Sequence, residues 1–242
     1  MISLDNSVVI IPTYNEIANI EKMLSTLDRL HPALNVLIID DASPDGTAAA
    51  VKSFQQKKSN LHLLQRSEKL GLGTAYIMGF RWALEKNFEA VITMDCDFSH
   101  EPEAIPGFLE NLQSHDLVVG SRYTGGIRIM NWPMHRLLLS YFATIYAGTI
   151  TGIPFSDSTG GFNAYSRKAL SSLNLDKIFS IGYAFQIELK YKLWSLGFPC
   201  FEFPITFFER NKGKSKMSKK IIAEAVINVF RLRFKKMLGV LQ

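Results

Sequence analysis

The chain has 242 residues, of which 47% are hydrophobic and 20% charged, with 16 glycines and 9 prolines. This composition is that of an ordinary globular protein and excludes disordered, collagen-like and low-complexity classes. Two cysteines, Cys96 and Cys200, are too few for a disulfide framework or a four-cysteine zinc site and favour a reducing compartment. The N-terminal sequence MISLDNSVVIIPTYNE lacks the basic start and the cleavage site of a signal peptide.

The charge is unevenly distributed along the chain. The formal net charge is +5, from 27 Lys and Arg against 22 Asp and Glu. Residues 210–242 contain ten of those basic residues and a single acid, Glu224, so the C-terminal segment is strongly basic and the rest mildly acidic. Such a segment indicates an anionic partner, which could be a membrane surface, a nucleic acid or a phosphate-bearing ligand. The alternative is a solvated charged helix.

Strand and helix signals alternate through about the first 120 residues. Apolar runs predict buried strands at Ser7–Ile11 (ended by Pro12), Val36–Ile39, Leu61–Leu64, Ala90–Met94 and Asp116–Gly120. Helices are predicted between them, at Ile17–Leu30, Thr47–Gln56, Gly71–Asn87 (with Ala75, Met78, Trp82 and Leu84 facing inward) and Glu101–Gln113. This alternation predicts an open α/β sheet with right-handed crossovers.

The second half of the sequence is less regular. The uncharged run Leu137–Ser156 is as long as a membrane span but contains Ser, Thr, Gly and Pro, so we expect a buried or interfacial helix that ends near Gly152. A Gly-rich stretch, Asp157–Asn163, follows it. A helix is predicted over Phe185–Leu196 and a strand over Phe201–Phe208, which leads into the basic segment.

Polar clusters occur where four of the predicted strands end. They are Pro12–Glu16, Asp40-Asp41, Asp95-Cys96-Asp97 and Gly120-Ser121-Arg122. Ligands of open α/β sheets bind beyond the carboxyl ends of the strands, so these clusters predict one site. Asp95 and Asp97 point the same way out of a strand and can share one cation such as Mg²⁺ or Mn²⁺, while Cys96 is expected to point away and pack. The alternative for this motif is a surface turn.

The Asp40-Asp41 pair can accept hydrogen bonds from a base or a ribose. The alternative is that these acids and Asp45 cap a turn or a helix; we expect Asp45 to be structural and at least one of the pair to contact a ligand. Pro12–Glu16 fits a ligand contact and also a capped helix start.

Several motifs are absent. Gly71-Leu72-Gly73 has Tyr76 in place of the third glycine and follows the wrong strand for a dinucleotide fingerprint. His100-Glu101-Pro102 is not the HExxH of a zinc protease, and neither GxSxG nor a P-loop occurs.

The ordered strings VVIIPTYNE, IIDDASPDGTA, LGLGTAYIMGF, MDCDFSHEPE, VVGSRY, STGGFNAYSRKAL, GYAFQIELKYK and FFERNKGKSKMS span about Ser7 to Ser218. Together they resemble family 2 glycosyltransferases of the GT-A fold, and more narrowly the dolichol-phosphate mannose synthases and their bacterial polyprenyl-phosphate relatives. The resemblance implies a Rossmann-like, open and mostly parallel α/β sheet with helices on both faces. It also implies a catalytic domain over residues 1–217. The basic and apolar residues that follow predict, by their own pattern, a basic amphipathic C-terminal helix in a membrane-interfacial tail over residues 218–242.

The resemblance also implies an activity. That activity is inverting transfer of mannose from GDP-mannose to dolichyl or polyprenyl phosphate, at the cytoplasmic face of a membrane where the protein is peripheral. UDP-glucose or another nucleotide sugar is the alternative donor, and a membrane-anchoring subunit is left open as a partner. Rival hypotheses are a nucleotide-sugar-binding protein without catalysis and a nucleic-acid binder. We expect no nucleic-acid partner, because the basic segment has few interleaved aromatics and such binding leaves the strand-end acids unexplained.

The site residues that the resemblance implies fall into four groups. The metal, Mg²⁺ or Mn²⁺, is assigned to Asp95 and Asp97, and Ser99 stands where some relatives carry a Gln ligand. Catalytic roles are assigned to Asp97, Arg122 and Arg210, and acceptor-phosphate contacts to Arg122, Ser215 and Lys216. Nucleotide-sugar contacts are assigned to Pro12, Tyr14, Glu16, Asp40, Asp41, Lys69, Asp95, Cys96, Asp97 and Arg210.

The chemistry of a phosphate acceptor makes a general base unnecessary. A phosphate monoester has a second pKa near ~6, so it is already a charged nucleophile at neutral pH. For the C-terminal helix we expect an apolar stripe, formed by Ile221, Ile222, Ala225, Val229, Leu232 and Leu238, to lie on the membrane beside the basic residues. The alternative is that this helix packs on the body of the protein or on a membrane partner.

Overall fold

A computed structural model of the chain describes residues 1–182, 184–209 and 219–238, and for residues 219–225 it describes the backbone alone. The strands are β1 (Ser7–Thr13), β2 (Asn35–Asp40), β3 (Leu61–Gln65), β4 (Ala90–Thr93), β5 (Leu117–Ser121), β6 (Ile129–Met130), β7 (Asn163–Ser166), β8 (Cys200–Pro204) and β9 (Phe207–Phe208). The helices are α1 (Ile17–Leu30), α2 (Thr47–Gln55), α3 (Leu72–Glu85), α4 (Ile105–Asn111), α5 (Met134–Thr151), α6 (Arg167–Ser171), α7 (Ala184–Ser195) and α8 (Lys219–Met237).

Seven strands form one sheet in the order β3-β2-β1-β4-β7-β5-β8. All neighbours are parallel except β7, which runs antiparallel to both β4 and β5. Strands β6 and β9 form a separate parallel pair. The predicted open, mostly parallel α/β sheet is therefore confirmed.

The sequence signals missed β6, β7 and α6. β7 is only four residues long and contains Asn163 and Ser166, so no apolar run marks it. The single strand predicted over Phe201–Phe208 is wrong, because the chain pairs with β5 only as far as Pro204 and then pairs with β6 through β9.

Pro12 does not end the first strand as predicted. It lies within β1, opposite Ile39 of β2. The pairing of β1 with β4 stops at Ile10, opposite Thr93. Beyond Ile10 the strand needs ladder hydrogen bonds on one side only, so a residue without an N–H is accommodated there.

Helices cover both faces of the sheet, and each face has its own core. One core combines strand residues with α3, α5, α7 and α8, and the other combines them with α1, α2 and α4. The predicted inward face of α3 is partly wrong, since Met78 is 39% exposed while Tyr76 and Phe80 are fully buried. The inward face includes Gly79, which lets α3 approach the sheet closely, and this small residue gives no hydrophobic signal.

The C-terminal helix α8 packs against α5 and α7 with a face that the sequence analysis assigned to the membrane. Val229 and Leu232 of the predicted stripe are buried in the core. That part of the prediction is wrong, because these positions fill the gap between α5 and α7. The structure does not describe the side chains of Ile221, Ile222 and Ala225, and Leu238 is exposed. Among the described residues, no helix combines the length and apolarity needed to cross a bilayer.

Two glycines give opposite expectations for stability. A Cβ on Gly79 would lie 2.8 Å from Ile10 Cδ1 and 2.9 Å from Ile39 Cδ1, whereas one on Gly148 of α5 would meet its nearest atom, Ile153 O, at 3.6 Å. Gly79→Ala should lower the free energy of unfolding by about 1–3 kcal/mol through overpacking. Gly148→Ala should raise it by roughly 0.5–1 kcal/mol, because alanine favours a helix. Urea unfolding measures both, and a stabilised Gly79→Ala variant would contradict the packing described for α3.

Candidate active site

The loops after β1, β2 and β3 meet at one edge of the sheet. Thr13 is opposite Asp40, and Asp40 is opposite Gln65, so the residues that follow these strands are neighbours. β4 and β5 end at the same edge and carry Asp95, Asp97 and Arg122 just beyond their last residues. The structure thus brings together the four clusters that the sequence analysis placed at strand ends.

The two acids after β2 are both engaged by protein groups. Asp40 is fully buried and accepts hydrogen bonds from Thr13 Oγ1 (3.0 Å), Ser43 Oγ (2.6 Å) and Ser43 N (2.9 Å). Asp41 forms a buried ion pair with Arg66, whose Nε lies 2.6 Å from Asp41 Oδ1. Burial raises the pKa of Asp41, and the hydrogen bond and charge of Arg66 only partly oppose this. A ligand role for either acid stays a prediction.

Arg66 also ties this edge to helix α3. Its Nη1 donates to Thr74 Oγ1 at 2.6 Å and its Nη2 to Gly71 O at 3.1 Å. Arg66 directly follows β3, so the strand-end rule that selected Asp40 and Asp95 also points to it, but the sequence analysis did not select it.

Tyr14, which follows β1 and is predicted to contact the nucleoside, lies beside Lys69. The Lys69 ammonium is 4.1 Å from the centre of the Tyr14 ring, so these two predicted contacts occur together. Glu16 precedes the first residue of α1, and its Oε2 accepts a hydrogen bond from Asn19 Nδ2 at 2.9 Å. The structural role predicted for Asp45 is confirmed, because its carboxylate accepts from Ile17 N, Thr47 N and Thr47 Oγ1.

The Asp95-Cys96-Asp97 turn is held in place by its own neighbours. Ser99 N and Ser99 Oγ donate to Asp97 Oδ1 at 3.1 and 2.6 Å, so Ser99 orients the carboxylate that some relatives supplement with Gln. His100 Nδ1 accepts from Asp95 N at 3.2 Å, and its ring stacks on Phe162. Burial lowers the pKa of His100. Cys96 is buried in the core, as predicted for its side chain.

Three of the loops at this edge contain residues with left-handed backbone. The φ angles are +58° at Asn15, +54° at Ala42 and +59° at Phe98, in the loops after β1, β2 and β4. Such conformations cost non-glycine residues about 1–3 kcal/mol each and cluster at functional sites. Of the five non-glycine residues with left-handed backbone among the described residues, three lie in these loops, and this clustering supports a functional site at the edge.

Arg122 is buried and tightly bound to Asp157 of the Gly-rich stretch. Its Nε donates to Asp157 Oδ2 (2.6 Å), its Nη2 to Asp157 Oδ1 (2.7 Å) and to Thr159 Oγ1 (2.8 Å), and its backbone N to Asp157 Oδ2 (3.1 Å). Burial alone would raise the pKa of Asp157, but the charge and hydrogen bonds of Arg122 outweigh it, so that pKa lies below its usual value.

A second guanidinium, that of Arg136, contacts the same tryptophan ring as Arg122. The Arg136 Cζ is 4.2 Å from the centre of the Trp132 ring, and the Arg122 Cζ is 5.5 Å from the same centre. Arg136 Nη1 also donates to Glu209 Oε1 at 2.6 Å. Arg136 is not among the predicted site residues, because it follows no strand and directly precedes the uncharged run Leu137–Ser156. Asp157 is named only as the first residue of the Gly-rich stretch, because it lies just before the string STGGFNAYSRKAL and far in sequence from Arg122.

Three predicted residues, Arg210, Ser215 and Lys216, lie outside the residues that the structure describes. The described part of the edge has two chemically distinct ends. A pair of carboxylates after β4 suits a divalent cation on a diphosphate. Arg122 and Arg136 suit a phosphate, because guanidinium groups match its oxygens.

The chain matches proteins of known family over most of its length. The model of glycosyl transferase family 2 matches residues 8–173. The undecaprenyl-phosphate mannosyltransferase of Micrococcus luteus is 43% identical over 222 residues, covering 92% of this chain and 91% of that protein. The polyprenol monophosphomannose synthase of Mycolicibacterium smegmatis is 40% identical over 225 residues, covering 92% and 85%. The dolichol-phosphate mannosyltransferase of Pyrococcus furiosus is 34% identical over 232 residues, covering 93% and 62%.

Solved structures share the fold at lower identity. The glucosyl-3-phosphoglycerate synthase of Mycobacterium tuberculosis, in complex with Mn²⁺, UDP and phosphoglyceric acid, superposes with a TM-score of 0.68 at 20% identity, covering 94% of this chain and 78% of that one. The same enzyme with Mg²⁺ and UDP gives a TM-score of 0.65 at 20% identity and the same coverage. The family match, the relatives and the shared architecture agree, and the chain belongs to glycosyl transferase family 2, with the GT-A fold.

Proposed function

We propose that this protein transfers mannose from GDP-mannose to a polyprenyl phosphate and inverts the anomeric centre. The observation that carries the proposal is the common edge on which a carboxylate pair, Asp95 and Asp97, lies near the buried guanidinium of Arg122. The names of the relatives from Micrococcus, Mycolicibacterium and Pyrococcus support mannose as the sugar and a lipid phosphate as the acceptor. UDP-glucose stays the alternative donor.

Asp95 and Asp97 would hold Mg²⁺ or Mn²⁺ against the donor diphosphate. The donor set fits such an ion, because hard cations bind carboxylate oxygens and Ser99 fixes the orientation of Asp97. When bound, the cation would neutralise charge on the departing diphosphate. The surrounding residues set the position of this turn through the His100 contact with Asp95 N.

The acceptor phosphate would lie against Arg122 and Arg136. One phosphate oxygen attacks the anomeric carbon, the bond from that carbon to the diphosphate oxygen breaks, and the nucleoside diphosphate leaves. Since the acceptor is a dianion at neutral pH, no side chain has to remove a proton. Catalysis then rests on positioning and on charge stabilisation by the arginines. We still predict phosphate contacts for three further residues, Arg210, Ser215 and Lys216.

The donor nucleoside would lie over the loop after β1. Tyr14 supplies an aromatic face and Lys69 a cation beside it, while Pro12 and Glu16 flank them. Asp41 and Arg66 form the floor between β2 and α3. Asp40 is bonded to Thr13 and Ser43, so we infer that it shapes the pocket from beneath.

A lipid acceptor lies in a membrane, so the protein needs a surface that binds the membrane. We propose that the exposed apolar side chains of α5 and α8 form this surface. Tyr146 of α5 joins the helices, since its ring contacts Phe230 and its Oη donates to Val226 O at 3.1 Å. The α5–α8 surface is defined by Leu138, Leu139, Tyr141, Phe142, Ile145, Ile227, Phe230, Phe234 and Met237, all exposed. Large exposed apolar patches mark membrane or protein contacts.

The α5–α8 surface begins next to the acceptor side of the site. Tyr123, the neighbour of Arg122, donates its Oη to Ser140 Oγ at 3.0 Å and contacts the Tyr141 ring. A lipid phosphate anchored in a bilayer under this surface would therefore reach Arg122 without leaving the membrane. We propose that the attachment is peripheral. Its location on the cytoplasmic face of the membrane stays a prediction, which rests on the low cysteine content and the reducing compartment that this favours.

Sugar transfer tests the activity. Radiolabelled GDP-mannose, UDP-glucose and other nucleotide sugars are offered with polyprenyl phosphate and Mg²⁺ or Mn²⁺, with and without EDTA. We expect lipid-phase label from GDP-mannose that EDTA abolishes, and a loss of at least about 100-fold in Asp97→Asn because one of two cation ligands is gone. Transfer of label from another nucleotide sugar would leave the proposed mechanism in place and change the identity of the donor. Full turnover in Asp97→Asn, or no product from any donor, would refute the assignment.

Arg136→Lys tests the second guanidinium. Lysine keeps the charge but loses the planar fork and the stacking on Trp132. We expect the KM for polyprenyl phosphate to rise about tenfold, in line with a lost charge-assisted hydrogen bond, while the affinity for GDP stays the same. Arg167→Lys is the matched control, because Arg167 bonds Asn87 away from this edge. An equal effect of both variants on KM would refute a direct role for Arg136.

Liposome sedimentation tests the membrane surface. Phe142 and Phe234 are each 61% exposed, so Phe142→Ser and Phe234→Ser remove membrane contacts and little core packing. The double variant should bind anionic liposomes at least about tenfold more weakly, since each buried phenylalanine contributes about 1.5–3 kcal/mol. Met78→Ser with Leu196→Ser, exposed elsewhere, is the control. Unchanged sedimentation of the Phe variant would contradict bilayer contact and favour a membrane partner subunit on this surface.

A further inference from the structure

Lys190, in the middle of α7, is a fully buried lysine that the proposed reaction does not use. Its Nζ donates to three backbone carbonyl oxygens: Asp157 O at 3.0 Å, Ser158 O at 3.3 Å and Gly160 O at 2.8 Å. An ammonium has three N–H bonds, so these contacts satisfy all of them. The carbonyls of Asp157, Ser158 and Gly160 thus converge on one cation.

The loop that surrounds Lys190 is the loop that holds Arg122. The Asp157 carboxylate accepts from Arg122 Nε, Nη2 and backbone N, and its Oδ1 also accepts from Gly160 N at 3.0 Å. On the outer side, Glu202 of β8 accepts from Ser156 N and Asp157 N at 3.0 and 3.1 Å. The carbonyls of the loop therefore bind Lys190, and its carboxylate binds Arg122.

This arrangement fixes the direction in which Arg122 points. Nε and Nη2 are used by Asp157 and Thr159, and within the described part of the chain Nη1 makes no hydrogen bond. A guanidinium is planar, so binding one edge of it to a carboxylate also sets the direction of its remaining N–H bonds. A shift of Asp157 would turn the whole group.

We propose that Lys190 and Asp157 are positioning residues for the acceptor phosphate, with Lys190 holding the 157–160 loop so that Asp157 presents the Arg122 guanidinium to a prenyl phosphate. The inference rests on the proposed function for the identity of the acceptor. Neither residue touches the reacting atoms.

A cation suits this position better than an apolar residue would. Arg122 with Asp157 is a pair of zero net charge, which attracts a phosphate dianion weakly. Lys190 offsets the carboxylate of Asp157 from behind, so more of the positive charge of Arg122 acts on the ligand. Burying an ammonium is costly, and an apolar side chain of similar volume often serves stability equally well. A buried lysine here is therefore better explained by the charge and geometry that it imposes on the loop.

The same helix provides a matched control. Lys192 is also buried, but its Nζ donates to Lys177 O at 3.2 Å and pairs with Glu188 at 3.4 Å, away from the 157–160 loop. Lys190→Met and Lys192→Met each remove one buried ammonium from α7. Asp157→Asn keeps the shape of the carboxylate and removes its charge. Lys190→Arg retains the positive charge. The planar guanidinium of arginine does not match three carbonyl oxygens that converge on one nitrogen.

Binding is measured on the full chain by calorimetry, with citronellyl phosphate as the acceptor probe and with GDP plus Mn²⁺ as the donor probe. Lys190→Met should bind citronellyl phosphate about tenfold more weakly, in line with one disturbed charge-assisted contact. Asp157→Asn removes a negative charge beside Arg122, but the lost orientation of the guanidinium should outweigh that change, so this variant should also bind the probe more weakly. The affinity of both variants for GDP should stay within about twofold of the unaltered chain. Lys192→Met should lose stability and leave both affinities unchanged. Thermal unfolding of every variant accompanies the binding data.

A pH series adds a readout that packing alone would not move. Burial lowers the pKa of Lys190 to about 8, and the charged groups that face its Nζ are Asp157, Arg122 and Glu202. The pKa of Lys190 is therefore lower in the folded chain than in the unfolded chain. Between these two pKa values the unfolded chain binds more protons at this residue than the folded chain does. The contribution of Lys190 to the free energy of unfolding therefore rises with pH in this window. Citronellyl phosphate affinity should fall in the same window in the unaltered chain and stay flat in Lys190→Met.

The outcomes separate the inference from the proposed function. Equal citronellyl phosphate affinity in Lys190→Met, Lys192→Met and the unaltered chain would overturn the inference, as would an equal loss of GDP affinity. If Lys190→Met does not fold, the citronellyl phosphate affinities of Asp157→Asn and Lys190→Arg are compared with that of the unaltered chain instead. Affinities equal to that of the unaltered chain would again overturn the inference. Citronellyl phosphate binding without sugar transfer from any donor would refute the proposed function alone. No binding of citronellyl phosphate by the unaltered chain would refute both.

Discussion

The buried ion pair between Arg122 and Asp157 is the interaction on which the candidate site depends. It joins the end of β5 to the Gly-rich loop, and that loop is held by α7 through Lys190 and by β8 through Glu202. Breaking one partner of such a pair leaves an uncompensated buried charge, which typically costs about 3–5 kcal/mol. The end of the edge that we assign to the acceptor is therefore held by several polar contacts at once. Its geometry is set by residues from four separate segments of the chain.

The end of the edge that we assign to the donor has a similar arrangement with different residues. Arg66 pairs with Asp41 and donates to Thr74 and Gly71, so β2, β3 and α3 are joined around one buried guanidinium. The turn after β4 is fixed by Ser99 and His100. At each end of the edge, an acid or a base that follows a strand is paired with an opposite charge from another segment, Asp41 with Arg66 and Arg122 with Asp157. Three of these loops also contain a non-glycine residue with left-handed backbone, a conformation that is uncommon for alanine and phenylalanine.

The two faces of α8 illustrate how an amphipathic pattern can be misassigned. The helix carries apolar residues on two sides, and Val229 and Leu232 fill the core while Ile227, Phe230 and Phe234 are exposed. Its basic residues are also partly turned inward, since Arg231 and Lys235 lie over the Phe179 ring and Lys236 over Trp194. The membrane surface that we propose is therefore built jointly by α5 and α8. A contribution from the charge of the C-terminal segment would add to it.

The sequence by itself determined the α/β alternation, the family and the edge of the sheet where the polar clusters lie. It could do so because buried parallel strands appear as apolar runs and their ends as abrupt polar motifs, as at Asp40 and Asp95. Only the tertiary structure placed β7 between β4 and β5 and paired Arg66 with Asp41, Asp157 with Arg122, and Lys190 with the 157–160 loop. These contacts join residues far apart in sequence, where no local spacing links one partner to the other. The exposed face of α8 was likewise decided by packing, because α5 and α7 cover one of its two apolar sides.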